Sequence, residues 1–222
     1  MEPAPQTTDA PRPRATALIA WGLGLVALSV GLGMWVYARG NGPFDLDTAW
    51  NVLIDGWDQQ VLLGFSLFMA FVGGGWFAVV AVPITGTVVL LVLRRPWSAV
   101  YFVAAQAISV GLVQLLKHTF GRARPEDIIL LADYGSYPSG HVAGAATLMA
   151  ALVVVFPRRR LLAVGIVWVL LMAFSRTYLH AHWLSDTVGG ALVGVGTALV
   201  VAGVLSGLLA RERGQRAAPS LG

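Results

Sequence analysis

The sequence predicts an all-α integral membrane protein, a six-transmembrane-helix bundle with a polar site at its extracytoplasmic side. Three observations carry that expectation. Hydrophobic residues fill 57% of the 222 positions and charged residues 12%, with a mean hydropathy of +0.73, well beyond a soluble domain. Uncharged stretches long enough to cross a hydrocarbon core of about 30 Å at about 1.5 Å per residue recur along the chain. Among them sit three polar knots, at residues 117–125, 138–141 and 175–186. The isoelectric point near 10.0 does not indicate a nucleic-acid partner, because the basic residues lie at the ends of apolar stretches and in the knots rather than on a soluble basic face. The lack of cysteine excludes disulfides, thiol chemistry and thiolate metal sites, and leaves the compartment unread from redox arguments.

Taken in order, residues 1–14 are proline-rich, carry Arg12 and Arg14, and read as a disordered cytoplasmic tail. Residues 15–38 are uncharged and exceed the apolar core of a cleavable signal peptide, so a retained first span is expected. Residues 39–60 interleave Asp45, Asp47, Asp55 and Asp58 with Phe44, Leu46, Trp50, Leu53, Ile54 and Trp57, which fits either an amphipathic segment at about 44–58 lying among lipid headgroups or an ordinary loop. Residues 61–93 are uncharged but interrupted by Gly73, Gly74, Gly75 and Pro83. Charge parity between the acidic loop and Arg94–Arg95 requires an odd number of crossings there, counted as one. Further spans are expected at 96–116, 142–156, 161–174 and 187–210, with Arg158, Arg159 and Arg160 as a cytoplasmic anchor and 211–222 as a cytoplasmic tail. This gives a six-helix domain over 15–210 with both termini cytoplasmic and all three knots on the outer face. The fourth and fifth runs are short, which predicts knots somewhat below the outer hydrocarbon boundary, an expectation the longer sixth run meets only if tilted.

The knots supply Lys117, Arg122, Arg124, Ser139, His141, Arg176, His182 and Asp186. Ionisable groups at membrane depth are functional by default, although the cations alone fit snorkelling helix anchors. Lys117 and Arg124 are two turns apart on a continued helix, which Pro125 ends no later than Ala123. Ser139 sits where a helix cap is wanted, and Gly140 lets the backbone approach an anion at the helix start. A plain cap does not need His141. His182 and Asp186 stand four apart, so the carboxylate can accept from one ring nitrogen and leave the other bare as a nucleophile. His118 and His180 lack matching partners and read as interfacial polar residues. A zinc site from His180, His182 and Asp186 is opposed by the cationic surroundings.

In this order the knots resemble the signature of the type 2 phosphatidic acid phosphatase family, whose site architecture is shared with vanadium-dependent haloperoxidases. Lys117, Arg124 and Pro125 match its first motif, Pro138 to His141 its second, and Ser175, Arg176, His182 and Asp186 its third. The resemblance implies a membrane-embedded lipid phosphatase with its active site facing the extracytoplasmic side. Its substrate would be a phosphomonoester or pyrophosphate such as phosphatidic acid, phosphatidylglycerol phosphate or a polyprenyl pyrophosphate. It implies His182 as the nucleophile that becomes phosphohistidine, Asp186 as its orienting group and His141 as acid and then base. Lys117, Arg124, Ser139, Gly140 and Arg176 would hold the phosphate, with Arg122 an auxiliary. Neither metal nor cofactor is needed, and the implied partners are the lipid phosphate and the surrounding membrane lipids. The rival class is a transporter or lipid-binding protein that holds phosphate without breaking it. Oligomeric state is unread.

Overall fold

The computed structural model describes residues 13–57, 59–130 and 134–217, so most of the expected N-terminal tail, and residues 218–222 of the C-terminal one, lie outside the described residues. Among the described residues the chain is helical without strands: α1 (Pro13–Ala38), α2 (Asp45–Asp55), α3 (Gln60–Val72), α4 (Val82–Val92), α5 (Pro96–Phe120), α6 (Gly140–Val155), α7 (Arg159–Tyr178), α8 (Leu184–Val204) and α9 (Ser206–Ala217). Four of these, α1, α5, α7 and α8, are each long and apolar enough to cross a membrane. The stretch from α3 to α4 forms a bent pair that counts as a fifth if taken as one span. Exposed Trp21, Leu28, Val88, Leu162 and Leu170 give these helices the apolar outer surface that lipid requires.

The glycine interruption bends the second apolar stretch by 46°. Helix α3 stops at Val72, Gly75 takes a left-handed φ of 54°, and the chain resumes through a π-helical turn at Phe77–Ala81 before α4. Segment 44–58, open between helix and loop in the sequence, contains α2. Helix α6 has 16 residues, about 24 Å at the usual rise, as its short apolar run implies. Helix α7 has 20 residues, because Arg159 and Arg160 at one end and Ser175 to Tyr178 at the other continue the helix beyond the uncharged run, so only α6 remains short.

Helix α8 is the centre of the bundle, packed against α1 and α6 and touching α5 and α7. Small residues make that closeness available, as expected where apolar burial alone does not drive helices together. A Cβ on Gly190 would lie 2.5 Å from the Ser139 carbonyl oxygen, so the start of α6 rests directly on α8. The C-terminal segment does not simply trail away: Glu212 of α9 is buried and accepts from the Trp97 amide at 2.8 Å, filling an otherwise orphaned donor at the start of α5.

Candidate active site

The first knot begins in the last turn of α5 and turns inward where the helix stops. Gly121 adopts φ 56° and caps the helix by donating its amide to the Lys117 carbonyl at 2.9 Å. The helix therefore ends three residues before the limit Pro125 would set. Lys117 and Arg124 still converge, because Lys117 Nζ and Arg124 Nη2 both donate to the Gly135 carbonyl, at 2.7 and 2.9 Å. One backbone oxygen of the α5–α6 loop thus gathers two cations of the motif. Arg124 also donates to the Ala181 carbonyl, fastening the first knot to the third.

Ser139 occupies the N-cap position of α6, yet its hydroxyl makes no capping bond. Its Oγ is fully buried without a hydrogen-bond partner, and its amide donates to the Asp186 carbonyl at 3.0 Å. His141, one residue into α6, places Nε2 3.1 Å from the Ala70 carbonyl of α3. Only a glycine fits beside it, since a Cβ on Gly74 would fall 2.3 Å from that nitrogen.

In the third knot α7 ends at Tyr178, His180 takes φ 51°, and α8 starts at Leu184. His182 is therefore in the connecting turn, and its relation to Asp186 differs from the helical pairing expected. Nδ1 lies 2.8 Å from the Ser136 carbonyl oxygen, to which it donates, and 3.7 Å from the Asp186 carboxylate. With Nδ1 donating, Nε2 carries no proton and faces Arg124, and a backbone carbonyl rather than the carboxylate fixes the tautomer. Asp186 takes the Trp183 amide at 2.9 Å and an ion pair from Arg122. Burial first, then the positive charges of Arg124, Lys117 and Arg176 and the nearby His141, hold the His182 imidazole well below its ordinary pKa of 6.5. His182 Nε2 lies 3.3 Å from Arg124 Nη1.

Lys117, Arg124, Gly140, His141, Arg176 and His182 line one end of a cavity of about 920 Å³. Val72, Phe77, Val103, Val110, Leu148 and Trp168 line much of the remainder, with Gln106, Ser109 and Gln114 the polar residues among them. Ser139 and Asp186 do not line it and stand behind its wall. His180 faces elsewhere, with Nε2 2.9 Å from Asp55 and Nδ1 against Asp127, so it belongs to a separate cluster from His182 and Asp186. His118 stacks on Tyr134 at 5.3 Å. Sequence reasoning missed Asp47, which accepts from Arg122 Nη2 at 2.9 Å and from the Ser185 amide at 2.8 Å. Its only signal was a cluster of aspartates in a segment assigned to the same face as the knots.

Fold and site together define a polytopic membrane protein built around a buried, cationic, histidine-bearing pocket. The chain belongs to the PAP2 superfamily, which it matches over residues 98–208, a region containing all three knots. It is 30% identical over 121 residues to a lipid A 1-phosphatase of Rhizobium johnstonii, covering 48% of this chain and 47% of that protein. It is 29% identical over 142 residues to an undecaprenyl-diphosphatase of Sulfolobus acidocaldarius, covering 60% and 66%. The chain spans about half the length of the lipid A 1-phosphatases it matches. The fold resembles that of the first transmembrane PAP2 type phosphatidylglycerolphosphate phosphatase from Bacillus subtilis, with a TM-score of 0.70 at 19% identity over 84% of this chain and 96% of that one.

The unpartnered Ser139 hydroxyl gives a direct test. Deleting a buried group with no bond to lose relieves about 1–3 kcal/mol rather than adding it. Ser139→Ala therefore keeps or raises the melting temperature in detergent. A fall of more than about 5 °C, beyond what 1 kcal/mol produces in a chain of this size, would mean that the hydroxyl is bonded.

Proposed function

We propose that this protein is a membrane-embedded lipid phosphatase that hydrolyses a phosphomonoester or pyrophosphate of a lipid through a phosphohistidine intermediate. The observation that carries the reading is the convergence of Lys117, Arg124, Arg176 and His141 around a neutral His182 on one cavity. The largely apolar remainder of that cavity suits an acyl or isoprenoid chain. The names of the relatives, a lipid A phosphatase and an undecaprenyl-diphosphatase, point the same way.

In this mechanism the bare Nε2 of His182 attacks phosphorus in line, forming a P–N bond as the P–O bond to the lipid breaks. His141 gives its proton to the departing oxygen, then takes one from the water that attacks the phosphohistidine and releases inorganic phosphate. Lys117, Arg124 and Arg176, with the amides at the start of α6, hold the non-bridging oxygens as charge redistributes. Asp186 stabilises the ring from 3.7 Å, and Ser139, whose amide donates to the Asp186 carbonyl at 3.0 Å, sets the start of α6 behind the phosphate. A histidine nucleophile surrounded by fixed cations gives this reaction without a metal.

Six crossings follow if the bent α3–α4 pair and the short α6 each cross once beside α1, α5, α7 and α8. The arginines at 94–95, 158–160 and 211–213 then share the cytoplasmic side with both termini, and the pocket faces the extracytoplasmic side.

Purified protein in detergent with EDTA should release phosphate from at least one of phosphatidic acid, phosphatidylglycerol phosphate and a polyprenyl pyrophosphate. His182→Ala should abolish release while lipid binding changes by only about threefold; retained release would remove the nucleophile, and a wild type that binds but never hydrolyses would favour a carrier. The lowered His182 pKa sets the sign of the pH response: the base stays unprotonated as pH falls through 6.5, and activity is lost only at lower pH. The acid limb of kcat/KM should therefore lie well below 6.5, once the substrate's own second ionisation is measured separately; a limb at or above 6.5 belonging to the enzyme would contradict it. For topology, the cysteine-free chain allows single labels. In intact cells an impermeant maleimide should modify Asp45→Cys and spare Arg159→Cys, and the opposite pattern would invert the proposed orientation.

A further inference from the structure

Arg122 lies in the gap of the first motif. It is 1% exposed, between Asp47 at 1% and Asp186 at 0%. Its Nη2 donates to Asp47 Oδ2 at 2.9 Å, while Nη1 reaches Asp186 Oδ1 and, at 2.8 Å, the Ser185 hydroxyl. Asp47 is saturated. Its Oδ2 also receives the Ser185 hydroxyl at 2.7 Å and the Phe44 amide at 3.0 Å, and its Oδ1 receives the Ser185 amide at 2.8 Å. The same carboxylate thus caps the start of α2 and the start of α8, the helix that carries Asp186. The Arg122 backbone makes a second connection: its carbonyl accepts the Ser136 amide at 2.8 Å, and the Ser136 carbonyl accepts the His182 ring N–H at 2.8 Å.

A guanidinium fork spanning two buried carboxylates is a costly arrangement for stability alone, since a well-packed apolar set is often as good. What it supplies is geometry, because the planar fork fixes the direction of both carboxylates as an ammonium could not. We propose that Arg122, held by Asp47, is a positioning residue of the phosphatase reaction: its side chain fixes Asp186, which lies 3.7 Å from the His182 ring, and so makes helix α2 part of the catalytic framework. Arg122 does not line the cavity. Its effect therefore belongs on the chemical step rather than on binding. The inference rests on the lipid phosphatase reading.

The test compares wild type, Arg122→Lys, Asp47→Asn and the double variant Asp47→Asn with Arg122→Met on whichever lipid phosphate the wild type hydrolyses, using protein that elutes as a single species in detergent. The double variant removes the cation together with one of its anions, which relieves the uncompensated charge a lone Arg122→Met would bury. Arg122→Lys and the double variant should each lower kcat by about 10- to 100-fold with KM within about threefold. Asp47→Asn should lower it less, because Arg122 still reaches Asp186. A folded variant with wild-type kcat, or one changed only in KM, would overturn the proposal, as would failure of every Arg122 variant to fold, which would assign the residue to stability alone. If the wild type hydrolyses nothing, the proposed function falls first and is recognised separately; if it is active and the variants match it, only the positioning role falls.

Discussion

Backbone polar groups buried away from water need partners inside the protein, and that constraint shapes everything around the pocket. The connections between α5 and α6 and between α7 and α8 form neither helix nor strand among the described residues, so their polar groups pair within each connection and across the site. The Gly135 carbonyl takes Lys117 and Arg124, the Ser136 carbonyl takes His182, the Ala181 carbonyl takes Arg124, and the Asp186 carbonyl takes the Ser139 amide. Each bond that closes a loop also aims a side chain or a helix start of the site. The polar groups that would be intolerable one by one become a framework when paired, which is the condition under which buried polar networks specify a single arrangement.

That framework explains why the charge on His182 is set without a direct carboxylate partner. In a triad the acid accepts the ring N–H and favours the imidazolium. Here a neutral carbonyl accepts it, while burial and the surrounding cations act against protonation. The carboxylate at 3.7 Å is engaged by Arg122, which tempers its charge. A phosphate dianion entering the cavity would reverse the electrostatic balance, because its charge offsets the cations that disfavour a proton on the ring.

Much of this was legible in the sequence, and the boundary has a physical reason. Lys117, Arg124, His141, Arg176 and His182 were found because each knot is a local break in apolar sequence, and the structure brings the five onto one cavity. Spans α1, α5, α7 and α8 were legible as uncharged runs. What was not legible depends on contacts distant along the chain. Asp47 is one of four aspartates between residues 45 and 58, and its pairing with Arg122, 75 residues away, leaves no local period. The His182–Asp186 spacing suggested helical neighbours, but the turn before Leu184 takes His182 off the helix. The left-handed Gly121 precedes Arg122, which is buried, where the family resemblance had made it an auxiliary.

The family match over residues 98–208 leaves α1 to α4 without a motif, yet two features of that region reach the pocket. One is Asp47. The other follows from the glycine break. A helix end leaves its last carbonyls without intrahelical donors, and Ala70 is two residues before the end of α3. The break frees that carbonyl, and the missing Cβ of Gly74 clears the space in which His141 Nε2 meets it at 3.1 Å. An unbroken α3 would bond the Ala70 oxygen internally and set a side chain against the ring. The triple glycine therefore does more than bend an overlong span: it presents an acceptor that orients His141 before any phosphate arrives. Past the same bend, the π-helical turn at Phe77–Ala81 adds Phe77 and Ala78 to the cavity wall. One irregularity thus supplies both an acceptor for the His141 imidazole and apolar residues of the cavity wall, within eight residues of each other.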